Sequence, residues 1–194
     1  MINKQFRVDG IDYSKTVYGL LCGRFQPLHY GHFEFIDRSL DYVDSLIVGI
    51  TNPNITKIIH TNFDYNRCKK ESNIFSFEER KLMVSGLFSR YFNNKLFRIV
   101  PFELNTAIDE VSNLPDNLLI MHTVYDTWGE EKRRLFEMTG KKYVTIWNRT
   151  NKITTGSEIR SALKGSSLWE HLVPQSTRII LEKIGLENIK SRFK

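Results

Sequence analysis

The sequence predicts an α/β fold, a doubly wound and mainly parallel sheet of about five strands with flanking helices. Three observations carry that prediction. Short runs rich in Val, Ile and Leu alternate with segments whose apolar residues recur at helical spacing. Capping-box tetrapeptides open several of the helical segments. Turn signals such as Thr51-Asn52-Pro53-Asn54 separate the two kinds of segment.

The elements follow in chain order. Residues 1–15 read as a polar lead-in, and residues 16–194 as a single domain that includes the C-terminal helices. Val17 to Cys22 is apolar enough to be a buried strand. Phe33 to Leu40 has the spacing of an amphipathic helix. Ser45 to Ile50 is a second buried strand. The stretch from Asn52 to about Phe75 is long, polar and basic, with Lys57, Arg67, Lys69 and Lys70. A loop of that length is either functional or a solvated insertion. Ser76-Phe77-Glu78-Glu79 is a capping box that opens a helix through Arg80, Leu82, Met83 and Leu87. Leu96 to Val100 is a third strand, Ala107 to Ser112 a short helix, and Leu118 to Met121 a fourth strand. Thr127-Trp128-Gly129-Glu130 reads as a second capping box, on a helix that ends at Gly140. Tyr143 to Ile146 is a fifth strand, and Thr155-Gly156-Ser157-Glu158 a third capping box. A last helix runs from Gln175 to about Ile184. No internal repeat or low-complexity tract interrupts this order.

Composition narrows the function. The chain has 194 residues, 41% hydrophobic and 26% charged, with a net charge of +6, as expected for a globular protein with one sizeable core. The basic balance suits anionic ligands. No arginine-rich tract or aromatic–basic repeat points to a nucleic acid polymer. The two cysteines, Cys22 and Cys68, have neither zinc nor disulfide spacing, which fits a reducing compartment. The N-terminus has no apolar signal segment and no run spans a membrane, so a cytoplasmic location without membrane partners is expected.

The strongest chemical signal is the run Gly23-Arg24-Phe25-Gln26-Pro27-Leu28-His29-Tyr30-Gly31-His32, set between the first strand and the first helix. A helix start offers free backbone N–H groups and the positive end of the macrodipole, which favour phosphate. His29 and His32 are three apart and share a face in a first helical turn. Gly31 lets a ligand approach the backbone. Arginine with paired imidazoles suits a polyphosphate that is held while one phosphorus is attacked. The second signal is Asn148 to Arg160. It puts Thr154, Thr155 and Ser157 at another helix start and Arg160 one turn into that helix. Alone it is an ordinary capping box with a surface arginine. Coupled to the first motif, it reads as the other half of an anion site. His60, His122 and His171 are lone histidines with structural or surface roles, although His122, at the end of the fourth strand, is placed to reach a pocket there.

The run ending in His29-Tyr30-Gly31-His32 resembles the His-x-Gly-His signature of the nucleotidyltransferase superfamily, and its longer form looks most like the archaeal-type nicotinamide mononucleotide (NMN) adenylyltransferases. Thr155-Gly156-Ser157-Glu158-Ile159-Arg160 is similar to the superfamily's Ser-x-Thr-x-Ile-Arg phosphate motif. Asn73 to Arg80, Trp169 to Pro174 and Ile184 to Ile189 also look like the NMN enzymes. Three departures stand out. After the third strand, where the family carries an aspartate and further on a tryptophan that stacks on nicotinamide, comes Pro101 to Asp109, with no tryptophan. Ile74 replaces a proline. Tyr125 to Lys132 is similar instead to a stretch of the glycerol-phosphate-type cytidylyltransferases, whose Arg-Thr is echoed by Arg149-Thr150.

The resemblance implies a Rossmann-like nucleotidyltransferase. A nucleoside monophosphate passes from a triphosphate to an acceptor phosphate, and pyrophosphate leaves. ATP and NMN giving NAD⁺ is the leading reading. CTP with a small phosphorylated alcohol or phosphonate is the alternative, and a non-catalytic nucleotide-binding regulator a third. His29, His32 and Arg160 are the expected catalytic residues. Gly23, Arg24, Phe25, Gln26, Gly31, Arg149, Thr154, Thr155, Gly156 and Ser157 are expected at the nucleotide. Thr51, Asn52, Phe75, Glu103, Tyr125 and Trp128 are candidates for the acceptor, with Trp128, Phe102 or Tyr125 replacing the missing tryptophan. Mg²⁺ is the expected cofactor, carried by phosphates and water without a protein metal cage. The sequence leaves a homo-oligomer open.

Overall fold

The computed structural model describes residues 6–56, 68–165 and 168–194. Lys57, His60 and Arg67 lie outside the described residues. The chain groups into two compact units that interleave in sequence. One comprises Met1–Gly23, Glu34–Thr51 and Asn94–Asn151. The other comprises Arg24–Phe33, Asn52–Asn93 and Lys152–Lys194.

The first unit holds the sheet. Strands β1 (Tyr18–Gly23), β2 (Ser45–Thr51), β3 (Leu96–Phe102), β4 (Leu118–Val124) and β5 (Lys142–Asn148) lie in the order β3-β2-β1-β4-β5. Every pairing is parallel. The order reverses at β1, whose neighbours are β2 and β4, as in a doubly wound sheet. β2 is buried at every position, which accounts for its unbroken apolar run. β3 is an edge strand. It is exposed at its first residues and tolerates Pro101 because an edge strand need not donate on both sides. On one sheet face Leu20, Cys22, Ile47, Phe102, Ile120 and Phe136 form a core. Burial pushes the Cys22 thiol up to about 12, so it behaves as a small apolar residue.

Helices α1 (Tyr30–Ser39), α3 (Ala107–Ser112) and α4 (Thr127–Glu137) complete this unit, α1 starting in the other. The expected capping box at Thr127 is corrected by one residue. Asp126, in extended backbone, is the N-cap, and its carboxylate accepts from the Gly129 N–H at 3.0 Å. A carboxylate at that position also complements the helix dipole.

The second unit is helical, with α2 (Phe77–Tyr91), α5 (Gly156–Gly165), α6 (Gln175–Ile184) and α7 (Leu186–Ser191). The Ser76 capping box on α2 is present in both directions. α2 packs on α6, where a Cβ on Gly86 would come within 3.1 Å of Ser176. Gly185, at φ +85°, ends α6, and the chain restarts as α7, a helix that the apolar spacing did not separate from the last one. No helix among the described residues is long and apolar enough to cross a membrane.

Candidate active site

β1 ends at Gly23 and the chain passes directly into the second unit. Phe25 takes a left-handed backbone (φ 52°) and the Gln26–Pro27 peptide is cis. The turn then feeds α1 at Tyr30. Gln26 is buried and grips Phe75 twice. Its amide donates to the Phe75 carbonyl at 2.8 Å, and its side-chain oxygen accepts the Phe75 N–H at 2.8 Å.

The two histidine rings are tilted by 30° with centroids 3.8 Å apart, and the Phe25 ring lies 4.6 Å from His32. The Gly31 N–H donates to His29 Nδ1 at 3.1 Å, and the His29 N–H to His32 Nδ1 at 3.3 Å. Each Nδ1 is therefore an acceptor, and the hydrogen-bond network assigns the ring proton of both residues to Nε2. Burial, reinforced by the positive Arg160 and Lys152, pushes His29 down to about 3. At neutral pH it is an uncharged N–H donor.

The Thr154–Arg160 motif lies against this turn within the same unit. Arg160 is buried. Its Nη1 donates to the Gln26 carbonyl at 2.7 Å, and its Nη2 to Ser157 Oγ at 3.2 Å. A Cβ on Gly31 would stand 3.2 Å from the Thr154 carbonyl, and one on Gly156 only 2.8 Å from the Gln26 carbonyl. Both glycines are thus fixed by close approach of two backbones. The third capping box is confirmed. The Glu158 N–H donates to Thr155 Oγ1 at 3.1 Å, and the Thr155 N–H to Glu158 at 3.3 Å. Thr154 is buried and its hydroxyl donates to Glu158 at 3.0 Å. Thr155 is half-buried and Ser157 exposed at the helix start.

Other expected residues have separate surroundings. Arg24 is half-buried and donates to the Ser72 carbonyl at 3.3 Å. Asn52 has a left-handed backbone (φ 51°), and its amide donates to Asn73 at 3.2 Å. The Phe75 ring is fully buried under the Arg192 guanidinium, so its place is in the scaffold of Gln26. In the sheet unit, Arg149 is gripped by both oxygens of Glu34 and lies 4.4 Å over the Trp147 ring, with Tyr125 adjoining. Those contacts hold its guanidinium above the usual range, the Glu34 hydrogen bond contributing most. Thr51 is buried. Burial and Glu110 raise Glu103. Phe102 is 1% exposed and packed in the core, which corrects its candidacy as a stacking platform. Trp128 is half-buried at the start of α4. His122 is fully buried, with Nε2 3.1 Å from Thr145 Oγ1.

Sequence reasoning missed Arg80, Glu79 and Arg192. Arg192 donates to both Glu79 oxygens at 2.8 Å and to the Ile74 carbonyl at 3.0 Å. Arg80 is fully buried. The signal was present in the Asn73–Arg80 segment, which the sequence reading used to place a helix and as part of the family resemblance, without giving Arg80 a role.

The family model described as cytidylyltransferase-like matches residues 20–181. A phosphonoformate cytidylyltransferase of Streptomyces viridochromogenes is 34% identical over 87% of this chain and 92% of its own length. A nicotinamide-nucleotide adenylyltransferase of Methanococcus maripaludis is 29% identical over 88% of this chain and 92% of its own. Among solved structures, a bifunctional NMN adenylyltransferase/ADP-ribose pyrophosphatase of Francisella tularensis, complexed with AMP and a manganese ion, superposes with a TM-score of 0.61 at 17% identity. That match covers 92% of this chain and 52% of the Francisella chain, so this chain spans about half its length. At that identity it shows the shared Rossmann-like fold.

Proposed function

The chain belongs to the cytidylyltransferase-like family and is a nucleotidyltransferase, and from that premise we propose how its residues divide the work. An oxygen on the acceptor's phosphorus attacks the α-phosphorus of a nucleoside triphosphate. The new P–O bond forms as the bond to the β-phosphate oxygen breaks, and the electron pair leaves on pyrophosphate. Such transfers need positioning and charge stabilisation more than covalent chemistry.

The observation that carries the reading is the docking of α5 on the histidine turn through Arg160, Gly156 and Gly31. Two anion-binding helix starts become one cradle. His29 and His32 present Nε2–H donors to the α and β phosphates. His29 carries no full charge that must be desolvated, and both rings meet negative charge as it develops. Thr155 and Ser157 add hydroxyls beside the N–H groups of α5. Arg160 locks the cradle and lends it positive charge, and Arg24 adds more at the turn's entry. The substrate is the Mg²⁺ complex of the triphosphate, its metal held by phosphates and water. Among the described residues no group of three His, Cys, Asp or Glu is placed to hold a metal. The enzyme works in the cytoplasm on small phosphorylated molecules.

NMN is the first acceptor reading, with ATP as donor. It draws on the Methanococcus relatives and on the motifs shared with them. A second reading has its own observations. The Streptomyces relative at 34% identity is named for cytidylyl transfer to phosphonoformate, and Phe102 is unavailable for stacking on nicotinamide. Steady-state assays of pyrophosphate release separate the two, with ATP plus NMN against CTP plus phosphonoformate. NAD⁺ formation selects the first reading. Turnover only with CTP selects the second.

A further inference from the structure

Arg80 has no place in the chemistry above, yet its guanidinium is buried completely and all three of its nitrogens are engaged by backbone carbonyls. Nε donates to Ser76 at 3.1 Å, Nη1 to Arg24 at 2.9 Å and Nη2 to Asn52 at 2.8 Å. Burial lowers its pKa to about 10, so it stays charged at neutral pH. Burying such a cation is costly unless fixed dipoles compensate it.

The carbonyls it holds are not arbitrary. Arg24 precedes Phe25, and Asn52 is itself the other non-glycine residue with a left-handed backbone among the described residues (φ 52° and 51°). A bulky residue such as Phe holds that conformation only where the surroundings impose it. The Phe25 ring then lies 4.6 Å from His32, which stacks on His29 at 3.8 Å. We propose that Arg80 is a positioning residue for nucleotidyl transfer. By anchoring the Arg24 carbonyl it sets the Arg24–Phe25 peptide, and through the Phe25 ring it sets the angle of the His32 imidazole. It acts through His32, touches no substrate, and needs the planar three-way fork of arginine to do so.

The proposal rests on the nucleotidyl-transfer reading, and its tests tell the two apart. The first is a double-mutant cycle on kcat with Arg80→Lys and His32→Ala. Arg80→Lys keeps the charge but cannot span three carbonyls. It should lower kcat by about 10²-fold, as misplacement of a catalytic group does, while the KM for the triphosphate changes by less than about threefold. In the His32→Ala background the same change should cost almost nothing. Independent, multiplicative losses in the cycle would overturn the proposal. Should Arg80→Lys not fold, Phe25→Leu takes its place, since it leaves Arg80 and its carbonyls intact and removes only the ring beside His32. Independence from His32→Ala there overturns the proposal equally.

The second test needs no turnover. Nitrogen NMR of the histidine rings should show His32 with a bonded Nδ1 and a protonated Nε2 in wild type, and an averaged pattern in Arg80→Lys. An unchanged pattern refutes the positioning role. A wild type that releases no pyrophosphate with any triphosphate would sink the functional reading while leaving this arm standing.

Discussion

Arg160 Nη1 donates to the backbone carbonyl of Gln26 at 2.7 Å, joining residues 134 apart in sequence. That bond ties the start of α5 to the histidine turn, and Gly156 and Gly31 let the two backbones close around it. An arginine that elsewhere would be a surface charge is here a buried strut between the helix start and the histidine turn.

Arg160→Lys should therefore behave like a loss of function. An ammonium cannot reach both the Gln26 carbonyl and Ser157 Oγ in the planar fork that arginine uses. The triphosphate KM should rise and kcat fall, together by about 10²-fold in kcat/KM. Steady-state kinetics at saturating acceptor measures this. A fully active lysine variant would reduce Arg160 to a local charge.

His32→Ala should leave the fold intact and lower kcat by about 10²–10³-fold, the usual cost of removing one preorganised donor from a developing charge. His32 is only half-buried, so its loss leaves little cavity. Circular dichroism checks the fold and pyrophosphate release the rate. A variant within about threefold of wild type would contradict the role given to its Nε2–H.

Gly156→Ala places a methyl group 2.8 Å from the Gln26 carbonyl. Neither atom is the end of a flexible side chain, so the helix start must move off the turn. Triphosphate affinity, followed by calorimetry, should fall at least tenfold, by about 1.4 kcal/mol or more. Gly86→Ala, whose nearest neighbours are the Ser176 Cβ at 3.1 Å and Cα at 3.9 Å, far in sequence from the histidine turn, is the control and should leave affinity unchanged.

Stability should decline in mild acid. His29 and His122 have pKa values lowered from 6.5 to about 3 and about 4, each chiefly by burial. Both are neutral in the fold and take up a proton on unfolding below pH 6.5. Their contribution is complete above pH 6.5 and is lost as pH falls toward the folded values. Each steepens the decline by up to about 1.4 kcal/mol per pH unit. Urea midpoints measured from pH 7.5 to 4.5 should hold down to about pH 6.5 and fall below it, less steeply in His122→Gln. A flat profile over that window would contradict the buried neutral state.

The strands, their parallel arrangement and the two helix-start motifs that the structure brings together were legible because local rules carried them. Apolar runs gave the strands, and reciprocal side chains at Ser76/Glu79 and Thr155/Glu158 gave two helix starts. The third start failed by one residue, because Asp126 outcompetes Thr127 for the Gly129 N–H. What stayed hidden depends on long-range packing. Nothing local says that Arg80 turns inward to the Arg24 carbonyl, or that Phe102 disappears into the core. The partner of Arg149 is Glu34, 115 residues away, and no periodicity records such a pair. The candidate acceptor residues belong to no single motif, so the sequence offered only scattered positions for them.

The central claim is that the two helix starts form one cradle for a nucleoside triphosphate undergoing nucleotidyl transfer. Phosphorus NMR of the purified protein with Mg²⁺ tests it most directly, using ATP plus NMN in one sample and CTP plus phosphonoformate in another. The account predicts that in one sample the triphosphate resonances give way to pyrophosphate and a new P–O–P product in equal amounts, and that His32→Ala abolishes both signals over the same interval. Triphosphate that stays intact in both samples, or that yields pyrophosphate and free nucleoside monophosphate with no coupled product, would contradict it.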